Sequence, residues 1–68
     1  MNEEAFNTSV RKFLKTVGVT SQQQLEAAVQ AAIASGTLKG HEDVAVKIEL
    51  TSAVLGKPHV VEGTLKLE

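Results

Sequence analysis

The sequence has no cysteine, no tryptophan and no tyrosine. The missing cysteine rules out a disulfide framework and thiolate chemistry. Its only aromatic residues are Phe6 and Phe13. Base stacking, the usual anchor for single-stranded nucleic acid, therefore has little to work with. No apolar run approaches the roughly 18 residues that a membrane-spanning helix needs. Neither charge sign dominates: seven Lys and Arg against eight Asp and Glu give a net charge of −1. The chain does not advertise a polyanionic partner. The first residues, Met1-Asn2-Glu3-Glu4, are acidic where a secretory signal would be basic. The expectation is a cytoplasmic protein without a leader.

What remains is 68 residues, 43% of them hydrophobic. That is too apolar and too nearly neutral for a disordered segment, and too short for two domains. We expect one small domain over residues 1–68. Domains of this size bury only about 60% of the surface their unfolded chains expose. With no cross-link, the core must be efficient, or a second copy must help to cover it.

The apolar residues Phe6, Val10, Phe13, Leu14 and Val17 recur at helical spacing and predict a first helix from about Glu3 to Val17. Asn2 is its expected N-cap, Glu3 and Glu4 suit the positive end of the helix dipole, and Gly18 is its expected stop. Thr20 and Gln23 have capping-box spacing and predict a second helix, carried by Leu25, Ala28, Val29, Ala32 and Ile33 and ended by Gly36. The period then changes to two. Val44, Val46, Ile48 and Leu50 alternate with Ala45, Lys47, Glu49 and Thr51, and Val61, Gly63, Leu65 and Leu67 with Glu62, Thr64 and Lys66. A two-residue turn at Leu55-Gly56 pairs Leu50 with Val61, Ile48 with Gly63, Val46 with Leu65 and Val44 with Leu67. It also sets Glu49 against Glu62. The hollow at Gly63 is then a place for Phe6 or Phe13, with Phe13 buried between the helix pair and the sheet. The expected fold is α+β: two N-terminal helices packed on a C-terminal antiparallel β-hairpin (ααββ). Leu67-Glu68 has the look of a cloning remnant.

The segment from Phe6 to Gln22, FNTSVRKFLKTVGVTSQ, resembles the N-terminal signature of a family of short proteobacterial proteins of unknown function. Leu38-Lys39-Gly40 and His59-Val60-Val61-Glu62-Gly63 resemble its later landmarks. The resemblance covers nearly the whole chain. It implies a bacterial protein that is a complete unit, and it brings no catalytic or binding residue with it.

Two helices followed by a hairpin is also the order of parts in a winged helix. The second helix would then read DNA, yet its polar residues are Ser21, Gln22, Gln23, Gln24, Glu26, Gln30 and Ser35, with no Lys or Arg. Phosphate contacts and base readout both lean on those two residues. Arg11, Lys12 and Lys15 form a basic stripe that could contact an anion; the plainer reading is a solvated helix face. His41, Glu42, Asp43 and His59 are metal-ligand types, but their spacing matches no metal motif, and no metal or other cofactor is expected. No serine lies in a Gly-x-Ser-x-Gly context, and no phosphate-binding loop is present, so the chain does not read as an enzyme.

Ala27, Ala31 and Ala34 lie opposite the core arc of the expected second helix. They are either plain helix formers or a shallow face for a partner helix. The functional reading is a small protein-interaction module, self-associating as a weak homodimer through strand pairing or this alanine face. The alternative is nucleic-acid binding by a reduced winged-helix-like arrangement. A membrane partner is not expected.

Overall fold

A computed structural model describes residues 1–68. Its elements are one helix, α1 (Glu3–Ala34), and two strands, β1 (Asp43–Leu50) and β2 (His59–Lys66). The α+β class holds, but the two expected helices are one. They and the hairpin fall into two compact units, Met1–Thr37 and Leu38–Glu68, which we describe in turn.

Helix α1 starts where the sequence places it. The Asn2 side chain accepts a hydrogen bond from the Ala5 N–H at 3.0 Å, and Glu3 and Glu4 occupy the first turn. It ends at Ala34, and Gly36 follows at φ 83° with its N–H donating to the Ile33 carbonyl. That left-handed residue supplies the C-terminal stop.

Gly18 does not break the helix. The glycines in left-handed conformation are Gly36 and Gly40 alone. A glycine inside a helix costs about 1 kcal/mol relative to alanine. A break would instead leave up to four N–H and four C=O groups without helical partners. The cheaper choice is to continue. Thr20 is not a cap either, because its hydroxyl donates to the Thr16 carbonyl at 2.7 Å. Thr16 bonds back to Lys12 and Ser9 to Ala5 in the same way. These hydroxyls are spent on the preceding turn.

In the second unit, β1 and β2 pair antiparallel as Val44↔Leu65, Val46↔Gly63, Ile48↔Val61 and Leu50↔His59. This differs by two residues from the expected register. The turn at Leu55-Gly56 does not close the hairpin; residues 51–58 form a longer connection. Within it the Leu55 N–H donates to the Ser52 carbonyl, and the Val54 N–H to the Ser52 hydroxyl. A slip of two keeps every side chain on its expected face, since faces alternate with period two. Only the cross-strand partners change. Lys47, not Glu49, now faces Glu62, and Asp43 faces Lys66. Opposite charges pair and the like-charge clash disappears.

No side chain in either unit is buried. The expected core position of Phe13 is not realised: Phe6 and Phe13 are each 54% exposed. The expected burial relied on a sandwich of two helices and a sheet, and a single helix has no second helix to close over its apolar side. The Gly63 hollow is also modest: a Cβ there would meet Val46 Cγ2 at an ordinary 3.7 Å.

Candidate functional site

The continuity of α1 joins two half-patterns into one. Phe6, Val10, Leu14, Val17, Ser21, Leu25, Ala28 and Ala32 follow one another at spacings of 4, 4, 3, 4, 4, 3 and 4. This is an 11-residue repeat, and at about 100° per residue all eight fall in an arc of about 100°. Phe13 borders one side of the arc and Val29 the other. Ser21 is the polar interruption in the middle, and Asn7 and Gln24 lie at the edges. Over its first half the stripe is open to solvent: Val10 is 38% exposed and Leu14 53%. Val17, Ser21, Leu25 and Ala32 are partly covered. The signal for this stripe was present in the sequence. It goes unread when the helix is ended at Gly18, because each half then shows only part of the repeat.

Ala27, Ala31 and Ala34 are exposed on the same helix. In a continuous helix Ala31 lies in the direction of Phe13 at the border of the stripe, and Ala27 and Ala34 lie about 40 to 60° further round. Arg11, Lys12 and Lys15 are exposed; Arg11 lies beside the stripe in the direction of Val29, Lys12 and Lys15 lie on the far side of the helix, and none of them takes part in an ion pair. The helix-turn-helix on which the winged-helix reading depends is absent, because residues 17–20 are helical.

The loop before β1 has one well-defined polar feature. The Glu42 carboxylate accepts from the backbone N–H groups of Lys39, Gly40 and His41 at 2.8 to 3.1 Å. The Lys39 bond is the largest cause holding the Glu42 carboxyl below its ordinary pKa, with Gly40 and His41 adding to it and desolvation opposing. Gly40 at φ 102° lets the backbone curl around the carboxylate. The N–H groups that could cradle an outside anion are thus occupied by the chain's own side chain. Asp43 is engaged by Lys66 at 2.8 Å, and His59 lies opposite Leu50. No three His, Asp or Glu side chains come together as a metal-binding group. The surface depressions are shallow: one on the hairpin is lined by Ala45, Val46, Lys47, Glu62, Gly63 and Thr64, and another at the start of α1 by Asn2, Glu4, Ala5, Thr8, Ser9 and Lys12. Helix α1 is not apolar enough to cross a membrane.

A family model described as a family of unknown function (DUF6494) matches residues 1–68. The chain belongs to that family. The match spans the helix, the loop and the hairpin alike, as the sequence resemblance does. No curated protein and no solved structure matches the chain.

Proposed function

We propose that this DUF6494 chain is a small protein-interaction module that binds another polypeptide along the apolar stripe of α1. One observation carries the reading. The helix presents an apolar stripe about two and a half 11-residue repeats long, and no side chain of the chain is buried. Large contiguous apolar surface on a water-soluble chain marks a binding site more often than not. An amphipathic helix is a common means of docking to another polypeptide. The charge distribution agrees, since Arg11, Lys12, Lys15 and Glu26 all lie off the stripe. We take the setting to be bacterial, on the strength of the resemblance in Phe6–Gln22.

Site-specific photocrosslinking tests this. A photoreactive residue replacing Leu14 is expected to give polypeptide adducts in living cells, whereas the same residue replacing Lys12 gives few. Equal yields at the two positions, or none at Leu14, would overturn the reading.

A further inference from the structure

We propose that the open edge of β1 pairs antiparallel with the β1 edge of a second copy of this chain, about a two-fold axis through Ile48. The surface belongs to the hairpin, so the inference stands apart from the stripe on α1.

The first argument is the backbone. In a two-stranded ladder every second residue of each strand turns its N–H and C=O away from the neighbouring strand. No hydrogen bond from elsewhere in the chain reaches the backbone of Asp43–Leu50. Such an edge selects its occupant by chemistry, since an extended strand satisfies the whole row at once. Edges that stay solitary are commonly blocked by proline or a bulge. β1 has no proline and no glycine, and its pairing with β2 runs unbroken from Asp43 to Leu50. A two-stranded hairpin is also marginal in water, whereas more strands with a shared apolar face are not.

The second argument is charge. Within the hairpin Asp43 faces Lys66 and Lys47 faces Glu62, but Glu49 faces the uncharged Val60. Glu49 is the one charged side chain of the two strands without an opposite charge across the ladder. Pairing β1 with its copy about Ile48 sets Glu49 opposite Lys47 of the second copy, and does so twice. Ile48 then meets Ile48, and Val46 meets Leu50, on the apolar side. Each Lys47 lies between two glutamates, Glu62 on its own hairpin and Glu49 on the other. Opposite charges facing each other across strands stabilise, and like charges do the reverse.

The other symmetric registers of β1 are worse. Centring on Lys47 or Glu49 sets a charge against its own copy, and centring on Val46 sets Asp43 against Glu49. Centring on Ala45 matches Asp43 with Lys47, but it carries the ladder into the loop where Lys39, Gly40 and His41 curl around the Glu42 carboxylate. A parallel pair in register sets Lys47 on Lys47 and Glu49 on Glu49. The edge of β2 is the poorer one. Its charge-matched register, Glu62 against Lys66, includes Gly63, which has no side chain to pair, and leaves Glu49 as it was. The product is a four-stranded sheet, β2-β1-β1-β2, with the apolar rows of both hairpins on one side. A two-fold axis uses the same edge twice and closes the assembly at two copies.

Charge reversal in the full-length chain tests this. Sedimentation of the unmodified chain is expected to show a dimer at high micromolar to millimolar concentration. Glu49→Lys and Lys47→Glu each set like charges across the axis, and each alone is expected to weaken the dimer several-fold or more. Mixed in equal amounts, the two variants match again and the dimer returns as a heterodimer. Glu49→Lys changes no charge pair inside the hairpin, so its effect decides the matter even where Lys47→Glu loosens the hairpin through Glu62. The register is read separately. The native chain has no cysteine, so engineered thiols report without background. Directly opposed strand residues lie within disulfide reach. Val46→Cys and Leu50→Cys, mixed and oxidised gently, are expected to give the mixed disulfide in several-fold excess over either symmetric one. A monomer at millimolar concentration overturns the proposal. So does a dimer that Glu49→Lys leaves unchanged, which would place self-association on another surface. Predominantly symmetric disulfides, or none, overturn the axis at Ile48.

Discussion

Lys66 Nζ lies 2.8 Å from Asp43 Oδ2 across the open end of the hairpin. The two side chains are 68% and 56% exposed, so the pair's contribution to stability is small. An exposed pair of this kind is worth at most about 1 kcal/mol. Asp43→Asn is expected to lower the stability of the chain by less than that, and by less still in molar salt. Thermal melts at two ionic strengths check this.

The same register makes Glu62 and Lys47 direct neighbours. Glu62→Lys then places two lysines opposite each other and should destabilise by a few tenths of a kcal/mol. In the register with Glu49 facing Glu62, the same change would be neutral or stabilising. The charge-swapped double variant Lys47→Glu with Glu62→Lys should recover the loss. A denaturation series of the three variants distinguishes the two registers.

Gly18→Ala tests the single helix. A Cβ at Gly18 meets nothing within 4 Å, and its backbone is not left-handed. The substitution should raise helix stability by up to about 1 kcal/mol. Had Gly18 been the left-handed stop of a first helix, alanine there would cost about 1–2 kcal/mol instead. Gly36→Ala, at a position with φ 83°, should show that cost. The opposite signs of the two changes, read by circular dichroism against temperature, are the expected result.

Glu42 carries a pH dependence with a definite sign. Its pKa is lowered in the folded chain because the carboxylate accepts from Lys39, Gly40 and His41 N–H groups. A lowered pKa stabilises the fold above the unfolded value, about 4.3 for glutamate, and that gain is lost as pH falls through the lowered value. Amide resonances of Lys39, Gly40 and His41 should therefore move together on acidification below about pH 4.3. In Glu42→Gln this coupled movement should vanish. Its persistence would mean that another group titrates there.

Much of this fold was legible in the sequence, and the misses share a cause. Asn2 as cap, Gly36 as stop and the sharing of one sheet face by the alternating apolar residues of the two strands depend on local chemistry, and all three hold. Gly18 and the hairpin register depend on a comparison of two locally acceptable options. Glycine can end a helix or be tolerated within it, and the cost of eight orphaned backbone groups decides. Leu55-Gly56 can turn a chain, but the cross-strand charges favour a pairing two residues away. Phe13 was placed in a core because a chain with this much apolar residue content ordinarily builds one. The stripe itself needed the helix to be continuous before its 11-residue period could be seen.

The lack of any buried side chain bears on how this chain should respond to heat. Unfolding a protein raises its heat capacity in proportion to the apolar surface newly exposed to water. A lone helix and a two-stranded hairpin have little left to expose, so the isolated chain should melt gradually, with a small heat-capacity step and a shallow dependence on denaturant. Occupying the stripe would change both. The transition would sharpen, and its midpoint would climb with protein concentration when the occupant is another copy. The shape of a calorimetric trace, not merely its midpoint, is thus a direct gauge of whether the helix is covered.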